Sequence, residues 1–575
     1  MNLHPIYTEE HECQDCYKCV RECPVKAIRL NNGKASIIED ECVLCGHCVR
    51  VCPVHAKKVR NDLERVISLL ETKDKVIVSL APSFRVEFSD FPVSKLIAIF
   101  KRLGFYGVSE TAIGAEELSA NLAKYISQSD ERCFISTACP VVVEYIRKYF
   151  IEYAKFLTPF LSPVLSHCKI LKKIYGSDIG VVFVGPCIAK KREADTHPEL
   201  LDVALTFEEL RLWMDIKKDL VTKALLDNSD ENTFIPYPAR EGRLYPMDGG
   251  MISTIKYKCS IDDINFMSFS GIRNLPNILE GIDSLQADSP VFLELLACEG
   301  GCINGPKMSK GDGLVLKRRS VISYARVDKD IPKEPSCEIM EEIKVFRTCE
   351  KNVSEEQIIE ALHSIGKYRL EDELNCGGCG YDSCRDFAKA IVLGKAEPIM
   401  CVSYMRKLAQ RKANALINAM PCGVVIVDRN LRIVEANYEF ARLIGEEEFY
   451  KATQFNGALL DKLVTFSSVF RMALELEGDV LERDIRYKDV ILHLIVFNIE
   501  PHKYVGGIVQ DVTNPFVKRD EVIKRTQSVI EKNLSTVQKI AFLLGESAAD
   551  IESILSSIIE LFKEREVEEE DINEE

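Results

Sequence analysis

The sequence predicts a multidomain chain that joins α/β and α+β units, and three observations predict it. The chain has 575 residues, against ~100 to 200 residues for a typical domain. Its 22 cysteines gather in separate groups. Its hydropathy texture changes along the chain, from cysteine-dense loops to short apolar runs alternating with helical stretches, and then to strand-turn-strand patterns.

Charge narrows the class. Lys and Arg total 74 against 89 Asp and Glu, a net charge of −15, so nucleic acid is not an expected partner. The first residues, MNLHPIYTEEHEC, lack a basic stretch followed by an apolar one, and no run approaches the ~18 apolar residues of a membrane span. A cytoplasmic protein with no membrane partner is expected. In that compartment thiols stay reduced, so the cysteines read as metal or cluster ligands, not as a disulfide framework.

The first element, residues 1–60, holds the one internal repeat. C-x2-C-x2-C-x3-C-P occurs from Cys13 and again from Cys42. Each run wraps three thiolates around one 4Fe-4S cluster and sends its fourth cysteine to the other. Cys13, Cys16, Cys19 and Cys52 are thereby assigned to one cluster, and Cys42, Cys45, Cys48 and Cys23 to the second. Pro24 and Pro53 end the runs, and His47 and His55 read as loop residues. The module resembles a two-cluster bacterial ferredoxin, and electron transfer is what it supplies.

The second element, residues 75–330, alternates apolar runs such as KVIVSLAPS and IGVVFVGP with helical stretches, an α/β pattern. Cysteines stand beside Gly or Pro where strands end or helices begin: Cys139 in ISTACP, Cys187 in VGPCIAKK, and Cys298 and Cys302 in ELLACEGGCINGP. Sites assemble at strand ends in such folds. Gly300, Gly301 and Gly305 are expected to let backbone approach a bulky inorganic cofactor.

These segments resemble the three signatures of the FeFe-hydrogenase catalytic domain, TSCCP, MPCxxK and ExMxCxxGCxxG, here STACP, GPCIAK and ELLACEGGCING. RLYPMDGGMIST, Arg243 to Thr254, looks like a fourth shared element, a glycine turn that follows a strand. The resemblance implies an H-cluster: a cubane on Cys139, Cys187, Cys298 and Cys302, with Cys302 bridging to a two-iron subsite that carries CO, cyanide and a dithiolate-amine. It further implies that Lys190 hydrogen-bonds a cyanide and that Glu294 is the glutamate of the third signature. The departures matter too. Ala138 replaces the cysteine that passes protons in the family, Gly185 and Leu296 replace two methionines, and the pair Glu116–Glu117 resembles the start of a carboxylate relay whose next position is Ala120. A missing proton carrier costs ~100- to 10,000-fold in rate. Low activity is expected, which suits a sensor.

The third element, residues 335–408, is a polar connector with a capping box, Ser354 to Gln357, followed by Cys376, Cys379, Cys384 and Cys401. Three interleaved glycines and a helix face bearing Phe387, Ala390 and Ile391 favour a further 4Fe-4S cluster over structural zinc. It resembles the small iron-sulfur domain of corrinoid proteins. His363 reads as an ordinary helix residue.

Residues 412–515 read as strand, a turn at Asp428 to Asn430, strand, then a helix beginning at Asn437. This resembles a PAS domain, with an antiparallel five-stranded sheet; its ligand is unknown and His493 reads as a packed or surface strand residue. Residues 516–575 carry an apolar stripe, Ile530, Leu534, Val537, Ala541 and Leu544, then Ile551, Leu555, Ile558 and Phe562, before an acidic tail. Two helices either pack as a hairpin or dimerise, and a homodimer is favoured. Cys133, Cys168, Cys259, Cys337, Cys349 and Cys422 read as inert buried thiols.

Together these resemblances imply a sensory FeFe-hydrogenase that handles H2 and protons, depends on hydrogenase maturation proteins, exchanges electrons with a redox partner or ferredoxin, and signals to a downstream protein. The alternatives are a metabolic ferredoxin-linked hydrogenase, and an iron-sulfur scaffold without the two-iron subsite.

Overall fold

The computed structural model describes residues 4–226, 232–258, 264–282, 290–309, 311, 313–325, 334–345, 352–475 and 480–513. The C-terminal stripe and tail, Cys259 and Cys349 lie outside the described residues. Two compact units emerge: Met1–Leu362 with Arg369–Glu397, and His363–Tyr368 with the chain from Pro398 onward.

In the N-terminal module, Ile6–Thr8 pairs antiparallel with Lys57–Val59, and Ile28–Asn31 with Lys34–Ile37. The repeat extends to the backbone. Left-handed residues recur at the offset of the cysteine runs: Asp15 and Leu44, Tyr17 and Gly46, Lys26 and His55. Only one of the six is glycine, and each of the others costs about 1 kcal/mol, so the loop geometry is held against local preference. His47 is not a loop residue: it opens the helix His47–Val51, and its ring faces Glu22 at 3.4 Å.

The α/β part contains two parallel sheets. One has the order Gly107–Glu110, Val76–Leu80, Gly180–Gly185, Val203–Thr206; the other runs Asn265–Ser270, Val291–Leu296, Cys133–Ile135. Val76–Leu80, Gly180–Gly185 and Val291–Leu296 are buried at every position, because helices cover both faces of a parallel sheet. The carboxyl ends of Gly180–Gly185, Val291–Leu296 and Cys133–Ile135 carry the signatures. The turn expected after a strand at Arg243 to Thr254 joins two helices instead, Glu241–Leu244 and Gly250–Lys258. A Cβ at Gly250 would lie 1.9 Å from the Leu244 oxygen, so glycine there permits one helix to fold back on the other.

A buried ion network ties the end of the first module to this part. The Lys191 ammonium, fully buried, donates to Asp62 at 2.9 Å, Glu209 at 2.8 Å and the Ala204 carbonyl at 3.0 Å. Arg60 pairs with both Asp62 and Asp195. Burial works against the Asp62 charge, yet Lys191 and Arg60 hold its carboxyl below the ordinary range.

The Ser354–Gln357 capping box is present, each side chain bonded to the other's amide, and opens the helix Glu355–Ser364. Phe387 and Ala390 are buried on helix Cys384–Val392, while Ile391 is half-buried.

The second unit holds the helix Val402–Ala419 and an antiparallel sheet ordered Ile433–Ala436, Gly423–Asp428, Tyr504–Asp511, Val490–Glu500, Leu481–Tyr487. Asp428 forms the expected turn by accepting from the Asn430 and Arg432 amides. Asn437 caps the helix Tyr438–Ile444. Its side chain accepts from the Phe440 and Val424 amides and donates to the Ile417 and Cys422 carbonyls. Asn437→Ala should therefore destabilise the sheet by about 3 kcal/mol, read as lost hydrogen-exchange protection at Val424 and Phe440 in the full chain. His493 sits opposite Asp484 across two strands, 2.6 Å from its carboxylate, as a surface pair.

Candidate functional site

Every strand end of the two parallel sheets that carries a signature opens onto one cavity. About 110 Å³ of it admits the centre of a water molecule. Ala81, Pro82 and Ser83 follow Val76–Leu80; Thr111 follows Gly107–Glu110; Ala138 and Cys139 follow Cys133–Ile135; Pro186 and Cys187 follow Gly180–Gly185; Glu294 and Leu296 lie at the end of Val291–Leu296, Ala297 and Cys298 follow it, and Cys302 lies beyond. The four cysteines of the three signatures thus share one lining, although up to 163 residues separate them.

Burial pushes the Cys187 thiol up to about 11 and Cys302 up to about 12, and raises Cys298 well above the ordinary range. Thiolates there require a cation to replace the lost water. Among the described residues no three His, Cys, Asp or Glu side chains converge on a single-ion site. A cubane asks for a different arrangement, with each thiolate on its own iron.

Lys190 lines the cavity and is 7% exposed. Its ammonium donates to the Ser162 hydroxyl at 3.0 Å and pairs with Glu193 at 2.5 Å. Glu294 is fully buried; the Met251 amide donates to its Oε1 at 3.2 Å, while Oε2 has no partner. Burial raises its carboxyl to about 7, against partial relief from the Met251 amide and the Ser268 hydroxyl. The Ser83 hydroxyl, also fully buried on the cavity wall, has no partner either. Two orphaned polar groups, four thiols and a held ammonium in an otherwise apolar pocket fit an anionic iron-sulfur group.

The glycines of the third signature also lie close against other parts of the protein. A Cβ at Gly301 would lie 2.3 Å from the Pro246 oxygen, one at Gly305 2.8 Å from the Pro186 side chain, and one at Gly300 2.8 Å from Leu314. At Gly185 the space of the absent methionine belongs to Phe183, whose ring would lie 2.4 Å from an added Cβ; Phe183, Leu296 and Met251 all line the cavity. Glu116 and Glu117 do not line it. Glu116 accepts from the Arg240 and Gly242 amides, and Glu117 from the Ser336 and Cys337 amides and the Ser336 hydroxyl, so both carboxylates brace loops. Cys337 is half-buried, unlike Cys133, Cys168 and Cys422, because its backbone is drawn to Glu117 at the loop surface.

The second cysteine run abuts this site. A Cβ at Gly46 would lie 2.6 Å from Pro306 and 2.7 Å from Ile188; Lys148 donates to the Cys42 carbonyl at 3.0 Å and Arg50 to the Asn304 carbonyl at 3.3 Å. A cleft of about 240 Å³ is lined by both Cys45 and Cys298. Burial raises Cys42 to about 11 and Cys45 to about 12. Ser83, Ser162, Glu193 and the Lys191 network were not singled out from sequence. Ser83 alone carried a usable signal, its place at the end of the apolar run VIVSLAPS.

Cys376, Cys379 and Cys384 belong to the first unit, and Cys401 stands before the helix Val402–Ala419 of the second. Among the described residues no helix is long and apolar enough to cross a membrane.

Comparison with known proteins agrees with this layout. Residues 74–306 match the family described as iron only hydrogenase large subunit, C-terminal domain; residues 12–56 match a 4Fe-4S dicluster domain, 372–403 an Fe-S cluster family and 411–481 a PAS domain. The periplasmic Fe hydrogenase large subunit of Nitratidesulfovibrio vulgaris is 28% identical over 393 residues, 57% of this chain and 92% of that one. The cytosolic Fe-S cluster assembly factor narfl of Xenopus tropicalis is 22% identical over 382 residues, 55% of this chain and 77% of its own. Among solved structures, a variant FeFe-hydrogenase from Chlamydomonas reinhardtii covers 48% of this chain and 93% of its own, at 17% identity and a TM-score of 0.36. The chain therefore carries a 4Fe-4S dicluster domain, an iron-only hydrogenase large-subunit domain and a PAS domain, in that order.

Proposed function

We propose that the protein is a sensory FeFe-hydrogenase, a low-activity H2:acceptor oxidoreductase whose redox state is passed through iron-sulfur clusters to the PAS domain. The observation that carries this reading is the cavity with four signature cysteines, the held Lys190, and Ala138 where the family has a proton-carrying thiol. Cys139, Cys187, Cys298 and Cys302 would hold the cubane of the H-cluster, with the two-iron subsite lodged in the same cavity. When bound, that subsite supplies the open iron and the basic amine at which H2 is split or formed. The chain's own residues do the rest. Lys190, fixed by Ser162 and Glu193, supplies a charged donor for an anionic ligand, worth ~1.5 to 3 kcal/mol. Glu294, poised near neutrality, holds and releases a proton at Oε2, the oxygen that has no partner. The apolar lining excludes water.

The other clusters are read as two in the N-terminal module, on Cys13, Cys16, Cys19 and Cys52 and on Cys42, Cys45, Cys48 and Cys23, and one on Cys376, Cys379, Cys384 and Cys401. Electrons go to a redox partner or ferredoxin, and the signal to a downstream protein.

A second reading, an iron-sulfur scaffold without the two-iron subsite, is favoured by the relatives described as cytosolic Fe-S cluster assembly factors. Anaerobic infrared spectroscopy of matured protein decides between them. CO and cyanide bands that shift between argon and H2 are expected; no bands after the synthetic subsite is supplied would select the scaffold.

A further inference from the structure

In sequence the third cysteine group lies between the hydrogenase domain and the PAS domain. In space its segment packs elsewhere. Lys26, just past Cys23, donates to the Gly380 carbonyl at 2.6 Å and to the Arg21 carbonyl at 3.1 Å, so one ammonium clasps both sides of a seam. Lys395 pairs with Glu41 at 2.7 Å, and its carbonyl accepts from the Leu30 amide. Glu397 accepts from the Gly33 amide at 3.3 Å. Gly380, with φ of +93°, lies against the backbone of helix Lys18–Glu22: an added Cβ would be 2.8 Å from Arg21 Cα. Only glycine accommodates both that φ and that approach.

The seam lies between two cysteine sets. Tyr381 is 5% exposed, its hydroxyl has no partner, and the Lys26 ammonium stands 5.8 Å from its ring centre. Cys23 is assigned with Cys42, Cys45 and Cys48, and Cys45 shares the polar cleft with Cys298. No residue of 369–397 lines the cavity or that cleft.

We propose that the cluster on Cys23, Cys42, Cys45 and Cys48 is an electron branch point, facing the cavity cubane through Cys45 and the third cluster through Cys23 and Tyr381. Electrons then reach the PAS side through the N-terminal module and not directly from the cavity. Each transfer moves one electron: the N-terminal cluster is oxidised and the third cluster reduced, with no bond made or broken and no proton taken up. The reductant is H2 under the proposed function, and dithionite suffices to test the junction. The inference rests on reading the cysteines as cluster ligands, but not on the two-iron subsite.

The test uses the full chain with its iron-sulfur clusters reconstituted and no two-iron subsite, reduced with dithionite and examined by electron paramagnetic resonance. Magnetic coupling between the third cluster and an N-terminal cluster is expected in wild type. Gly380→Val, which drives a side chain into helix Lys18–Glu22, should abolish that coupling while iron and sulfide content stay unchanged. Should Gly380→Val not fold, Lys26→Met combined with Lys395→Met loosens the same seam without added bulk and should also reduce the coupling. Absence of a third cluster by iron count in wild type would overturn the ligand assignment. All clusters present with no coupling, or with coupling equal in wild type and seam variants, would overturn the branch.

Discussion

Glu294→Gln should lower H2 turnover by ~100- to 10,000-fold while leaving the infrared bands of the matured protein in place. The carboxyl is fully buried on the cavity wall, with one oxygen fixed by the Met251 amide and the other without a partner. A glutamine keeps the shape and the accepted hydrogen bond but cannot release a proton. The same substitution has a signature in stability. Burial raises this carboxyl from 4.5 to about 7, so across that window the folded chain holds a proton that the unfolded chain has lost. This contribution to stability is fully present below the unfolded value and is lost as pH rises through 7. Glu294→Gln should flatten the decline, as read by thermal unfolding of the cofactor-free chain at a series of pH values. A rate loss without flattening would mean that the carboxyl acts by position and not by titration.

The second large effect belongs to Lys190. Lys190→Met removes the ammonium that Ser162 and Glu193 hold at the cavity wall and should weaken retention of the two-iron subsite by ~10- to 100-fold, read as lost CO and cyanide bands with the cubane iron still present. Breaking the pair also leaves Glu193, 12% exposed in its side chain, without its counter-charge, which costs roughly 3 to 5 kcal/mol. Glu193→Gln combined with Lys190→Met separates the two causes: it should restore stability and leave the bands absent. Bands of normal strength in the double variant would remove Lys190 from the site.

What the sequence revealed tracks how local the physics is. The cysteine runs, the buried parallel strands and the Asn437 cap were readable because each is set by spacing, by two-sided burial or by one side chain bonding its own turn. At Gly300, Gly301 and Gly305 the sequence showed small residues but not the protein neighbours Leu314, Pro246 and Pro186 that also require them. An acidic pair on a helix likewise carries no mark of the distant loop amides that Glu116 and Glu117 accept from. Ser162 reaches Lys190, and Glu209 reaches Lys191, only through tertiary contact, although Glu209 also caps its own helix with Thr206; no periodicity announces such a meeting. The docking of residues 369–397 on the N-terminal module was illegible for the same reason: Lys26 and Gly380 are 354 positions apart.

The Lys191 network bears on how this chain can be divided. Lys191 and the cavity residue Lys190 are consecutive on one helix, and the carboxylates that neutralise Lys191 come from Glu209 on its own side and from Asp62 at the exit of the first module. A fragment that began at residue 75 would strand a buried ammonium with half its counter-charge, one residue from the site itself. The smallest autonomous piece must therefore begin upstream of Arg60, and a graft of residues 75–330 onto another module has to bring Arg60 and Asp62 along.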